Sequence, residues 1–115
     1  MAYVYCADVY CSDCGARIKK WLDKAEQTPE HPEDETIFDS DDYPKWCDDD
    51  EESDSPQHCA SHGDCINVIT LESGYKIGCL IGTCLTTDGV DYIKERIAEG
   101  GEVAEFWKKE FGDYL

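Results

Sequence analysis

Apolar and polar residues alternate over residues 2–10, where Tyr3, Val4, Tyr5, Val9 and Tyr10 supply β-favouring side chains. That pattern predicts one short strand. Past Cys11 the period lengthens. Ile18, Trp21, Leu22 and Ala25 recur at i, i+3, i+4 and i+7. This predicts a helix from Cys14 to about Ala25, with Asp13 as N-cap and that quartet facing inward. Lys19, Lys20 and Lys24 fall on its outer side and toward its C-terminus, where the dipole favours cations. Thr28-Pro29 ends it. Two further β-rich runs, Ile66 to Leu71 and Tyr75 to Ile81, flank Glu72-Ser73-Gly74 and read as a hairpin. Thr87-Asp88-Gly89 opens a helix through about Ala98 with Val90, Ile93 and Ile97 inward, and Gly100-Gly101 terminates it. A last helix, Glu102 to about Phe111, gathers Val103, Phe106, Trp107 and Phe111 on one side. The order predicts a small α+β fold: a β-hairpin or three-stranded antiparallel sheet, an N-terminal helix and two C-terminal helices.

Between the first helix and the later strands the periodicity disappears. Residues 26–54 hold fourteen of the 27 acidic residues against one lysine, and so −13 of the total charge of −17. Self-repulsion and sparse hydrophobes predict a long acidic loop over 26–56 within a single domain of 115 residues. Ile37-Phe38 and Tyr43-Pro44-Lys45-Trp46-Cys47 are its candidate anchors. A surface this acidic lacks the cations that displace counterions from phosphates, which argues against direct nucleic-acid or anionic-membrane binding. It favours a protein partner with a basic surface. No run of about 18 apolar residues is present, and residues 1–5 carry neither a basic region nor an apolar run. A cytoplasmic protein is the expectation, as a monomer or a weak dimer through its last helix.

In a reducing cytosol the eight cysteines point to metal ligands and buried thiols rather than to a disulfide framework. Cys11-Ser12-Asp13-Cys14-Gly15 spaces two thiols as a zinc knuckle does. The competing reading is redox chemistry at a helix N-terminus, but a thioredoxin-like unit needs a βαβ segment where only about ten residues precede. The complementary stretch is His58-Cys59-Ala60-Ser61-His62-Gly63-Asp64-Cys65. Cys59 with His62 repeats the first spacing, whereas Cys59 with Cys65 gives an all-thiolate site, and spacing leaves His62 and Cys65 level. His58 is an alternative ligand or an orienting group. Four protein ligands make a structural zinc site, and three leave an open position for catalysis. The run Asp48 to Asp54 places Ser53 and Cys59 where a calcium loop needs Gly and Glu, so it reads as a solvated charge run. Trp21, Phe106 and Trp107 read as core.

The chain resembles a group of short, acidic, uncharacterised bacterial and phage proteins. The resemblance is carried by Tyr10-Cys11-x-x-Cys14, Asp39-Ser40-Asp41-Asp42-x-Pro44, Asp54-Ser55-Pro56-Gln57-His58-Cys59, Cys65, and Leu85-Thr86-x-Asp88-Gly89-x-x-Tyr92. It covers most of the chain and brings no activity with it. It implies Cys65 in place of His62, and so one structural zinc on Cys11, Cys14, Cys59 and Cys65. Cys6, Cys47, Cys79 and Cys84 depart from the group's pattern and read as buried small hydrophobes, with a second metal site as their alternative. The expected function is therefore a zinc-stabilised protein–protein interaction module rather than an enzyme. One form of it is a phage or mobile-element inhibitor whose carboxylates imitate nucleic acid toward a host defence protein. A zinc- or thiol-dependent enzyme and a zinc-sensing or buffering protein are the alternatives.

Overall fold

The computed structural model describes residues 2–48 and 51–115. Asp49 and Asp50, at the centre of the Asp48–Asp54 acidic run, lie outside the described residues. The first stretch forms two strands where the alternation predicts one. β1 (Ala2–Tyr5) and β2 (Asp8–Cys11) pair antiparallel, with Ala2 opposite Cys11 and Tyr5 opposite Asp8. Their two-residue turn puts Cys6 and Ala7 at φ 50° and 67°. Such a turn normally advertises itself with Asn or Gly, and Cys-Ala gives no such signal. Cys6 is held there by its N–H donating to the Ser40 carbonyl at 3.1 Å.

β3 (Lys45–Cys47), which arises inside the acidic segment, pairs antiparallel with the other side of β1. Both sheet edges are occupied. Ala60 N–H donates to the Val9 carbonyl of β2 at 2.9 Å, and the Glu35 carboxylate takes the Trp46 N–H of β3 at 2.6 Å. Covered edges do not recruit further strands. The acidic segment is tied down by Tyr43 and Pro44, both buried, with Tyr43 donating to Asp23 Oδ1 at 3.1 Å and meeting Phe38 edge-on. Of the candidate anchors, Ile37 and Trp46 are exposed.

Helix α1 (Ser12–Lys24) begins two residues earlier than the pattern predicts, with Cys11 as N-cap. Asp13 stands in its first turn, where its charge suits the dipole, and accepts from Asn67 Nδ2 at 2.8 Å. The helix is also rotated relative to the predicted face. Cys14, Gly15 and Ile18 are buried, while Trp21 is 58% exposed and Ala25 is exposed. Contacts made across the fold set this rotation. Cys14 must face the other sulfurs, and the Tyr3 side chain packs against Gly15, where a Cβ would sit within 3 Å of three Tyr3 atoms. The apolar stripe through Trp21 is left outside.

β4 (Ile69–Thr70) and β5 (Lys76–Ile77) form a hairpin shorter than the two predicted runs. Residues beyond β5 pair elsewhere. Cys59 N–H donates to the Cys79 carbonyl and Ile81 N–H to the Gln57 carbonyl, each at 2.7 Å. Helix α2 (Thr87–Glu99) is capped by Thr86, whose hydroxyl accepts from Gly89 N–H at 3.1 Å. Helix α3 (Glu102–Glu110) follows directly and packs on α2.

This α+β chain has two small cores. One comprises Leu85, Ile93 and Phe111, with Leu80, Val90, Tyr92, Ile97 and Trp107 packed around them. In the other, Ala2 and Ile81 are joined by Cys11, Cys14, Cys59 and Cys65. Phe106 and Trp107 are half-buried. Two separate cores give a long, flat molecule, 49 × 31 × 17 Å with a radius of gyration of 16.0 Å, against about 13 Å for a compact chain of this length.

Candidate metal centre

Three segments meet at the sulfur-rich core. The junction of β2 and α1 presents Cys11 and Cys14, the segment paired with residues 79–81 presents Cys59, and the turn after His62–Asp64 presents Cys65. The four Sγ atoms lie within 4.8 Å of one another, and all four residues are buried. Cys65 Sγ is 3.8 Å from Cys11 Sγ and 3.7 Å from Cys14 Sγ. A tetrahedron of thiolates at about 2.3 Å from zinc has edges of about 3.8 Å, which the two edges at Cys65 match. No disulfide joins any of the eight cysteines.

The close approach has backbone causes. Gly78 lies against Cys59, and a Cβ there would stand 2.2 Å from the Cys59 carbonyl oxygen. Only glycine lets the two segments come this near. Cys11 and Cys14 occupy the N-cap and first turn of α1, where unpaired N–H groups and the dipole favour negative sulfur.

Donors surround the sulfurs. Cys11 N–H points to Cys59 Sγ and Ile66 N–H to Cys14 Sγ, both at 3.4 Å. Asn67 Nδ2 lies 3.7 Å from Cys11 Sγ, and Arg17 Nη2 lies 3.7 Å from Cys14 Sγ while donating to the Asp64 carbonyl at 2.9 Å. These groups spread the surplus negative charge that four thiolates would place on a divalent ion. The sequence reading missed them. Asn67 and Ile66 directly follow a candidate ligand, which is the one signal that marks them; nothing in the sequence marks Arg17.

Without a cation the thiols differ. Burial raises Cys11, but hydrogen bonds from the Cys14 backbone and from the Cys14, Asn67 and Cys65 side chains outweigh it and bring Cys11 down to about 7. Burial pushes Cys14 up to about 12, against donors from Ser61 and Ile66, and raises Cys59 as well. Three buried thiols with one near neutrality make a donor set that a cation would deprotonate as it binds.

The histidines stand apart from the sulfurs. His62 is exposed on its turn with φ 49°. His58 ring nitrogens are taken: Nδ1 donates to the Gly78 carbonyl at 2.6 Å, and Nε2 accepts from Trp107 Nε1 at 3.0 Å. An indole N–H only donates, so Nε2 carries the lone pair. His58 therefore orients backbone and ties α3 to the sulfur-rich core, rather than orienting a cysteine.

The remaining cysteines correct the reading of four buried hydrophobes. Cys6 is exposed, and Cys47, Cys79 and Cys84 are half-buried. Among the described residues they form no second group of metal donors. Cys79 lies 3.8 Å from Cys65, sulfur to sulfur, and burial followed by the neighbouring sulfurs holds its thiol well above the ordinary range. No helix among the described residues is long and apolar enough to cross a membrane. No family model, curated protein or solved structure matches the chain.

Proposed function

We propose that this chain is a zinc-stapled protein-binding module. Cys11, Cys14, Cys59 and Cys65 hold one structural zinc, and the acidic segment meets a protein with a basic surface. The observation that carries the metal half is four buried sulfurs within 4.8 Å of one another, two of whose edges measure 3.7 and 3.8 Å. A tetrathiolate set fills all four positions of zinc and leaves none for water or substrate, which favours a structural over a catalytic role. Thiolates of this kind persist in a reducing compartment, and the cytoplasm is our assignment.

Arg17→Met is expected to keep the fold and weaken zinc affinity about tenfold, because it deletes the cation beside Cys14 without touching a ligand. Competition with a chromophoric chelator reads this directly.

The partner half rests on charge and its placement. Glu30, Glu33, Asp41, Asp42, Glu51 and Glu52 are all exposed, on a segment that Tyr43, Pro44 and β3 fasten to the body. Carboxylates held on a fixed surface steer cationic partners and lose that effect as salt rises. Neutralising Glu30, Glu33, Glu51 and Glu52 to Gln is expected to abolish salt-sensitive capture of basic proteins while zinc content stays at one. Equal capture by the neutralised variant contradicts this assignment.

A further inference from the structure

A fifth sulfur touches the cluster without belonging to it. Cys79 Sγ is 3.8 Å from Cys65 Sγ, as near as Cys65 stands to Cys11, yet Cys79 is not one of the four mutually close donors. Its position is fixed by the backbone that places Cys59. The Cys79 carbonyl accepts the Cys59 N–H at 2.7 Å, and Gly78 packs on the Cys59 carbonyl. Cys79 is half-buried, while Cys65 beside it is 4% exposed. Cys65 is also the hub of the site. It touches both Cys11 and Cys14, and the next residue sends its N–H to Cys14 Sγ.

We propose that Cys65 and Cys79 form an oxidation site for hydroperoxides, and that the disulfide they make releases the zinc. The inference rests on the metal reading above. The Cys65 thiolate attacks the terminal peroxide oxygen; an S–O bond forms, the O–O bond breaks, and hydroxide leaves from hydrogen peroxide, or an alkoxide from an organic hydroperoxide. The Cys79 sulfur then attacks the resulting sulfenic sulfur. An S–S bond forms, the S–O bond breaks, and the oxygen departs as water with the Cys79 proton. The two sulfurs supply the two electrons that reduce the peroxide. The sulfurs need to close by about 1.8 Å to reach bonding distance. The product removes one of four ligands and leaves three, so the ion loosens. A thiol reductant restores the site.

The test treats the zinc-loaded full chain with equimolar hydrogen peroxide, follows free zinc with a chromophoric chelator, and maps disulfides by tandem mass spectrometry. The wild type is expected to release its zinc, carry a Cys65–Cys79 link, and reload after reduction. Cys79→Ala and Cys79→Ser, which leave the four donors in place, are expected to bind one zinc and release it about tenfold more slowly, having lost the adjacent sulfur that traps the sulfenic acid. Zinc release at the wild-type rate from either variant, or a map dominated by Cys11–Cys14, overturns the proposal. A chain that binds no zinc before treatment overturns the metal reading instead. In that case the disulfide map of the metal-free chain still decides whether the pair is an oxidation site.

Discussion

Chelating a zinc-loaded sample is expected to unfold the part of the chain built on the sulfur-rich core, with loss of the cooperative unfolding and circular dichroism that this part contributes. The reason is the composition of the first core. Of its six buried residues, four are cysteines, and the others are Ala2 and Ile81. Without an ion, little apolar area is left there to offset the ordering of β1, β2, β3 and the acidic segment. Structural zinc contributes about 10–16 kcal/mol of apparent binding free energy in small metal-dependent folds. That is of the same size as the about 5–15 kcal/mol by which a whole domain is stable. Cys59→Ser removes a fully buried thiol of the cluster and is expected to give the same result, whereas Cys84→Ser, outside the cluster, is expected to keep metal and fold. Chelation that removes zinc and leaves the spectrum unchanged contradicts this.

Phe111→Ala carries the second largest expected effect, in the other core. Phe111 is 1% exposed and completes the group it forms with Leu85 and Ile93. Its N–H closes α3 on the Trp107 carbonyl at 2.8 Å. Truncation leaves a ring-sized cavity that a three-residue core cannot refill, at a cost of about 3–5 kcal/mol. Denaturant unfolding of the zinc-loaded protein measures it. Zinc content is expected to stay at one, because none of the four clustered sulfurs belongs to this core. A loss below about 1 kcal/mol, the range of surface substitutions, contradicts the burial argument.

Where local chemistry decides a feature, the sequence displays it. Thr87-Asp88-Gly89 opens α2, Gly100-Gly101 lies between α2 and α3, and Val90, Ile93 and Ile97 keep helical spacing. The four sulfurs that converge are the ones picked out by the CxxC spacing together with the resemblance. Spacing alone left His62 level with Cys65, because choosing between them depends on the turn at 62–64 and not on separation along the chain. The features missed are set by partners distant in sequence. The Cys6-Ala7 turn leans on Ser40, the rotation of α1 answers to the other sulfurs, and residues 79–81 leave the predicted hairpin to pair with Gln57 and Cys59. β3 is three residues within a run of acids, too short to stand out until β1 offers it an edge. Cys79 looked like one more small hydrophobe, and only its distance to Cys65 sets it apart.

X-ray absorption at the zinc edge of the reconstituted protein tests the central claim most directly. The account predicts one zinc per chain with four sulfur neighbours at about 2.3 Å and no nitrogen or oxygen in the same shell. A nitrogen neighbour at about 2.0 Å would place His58 or His62 on the metal and contradict the four-thiolate site, as would a chain that retains no zinc.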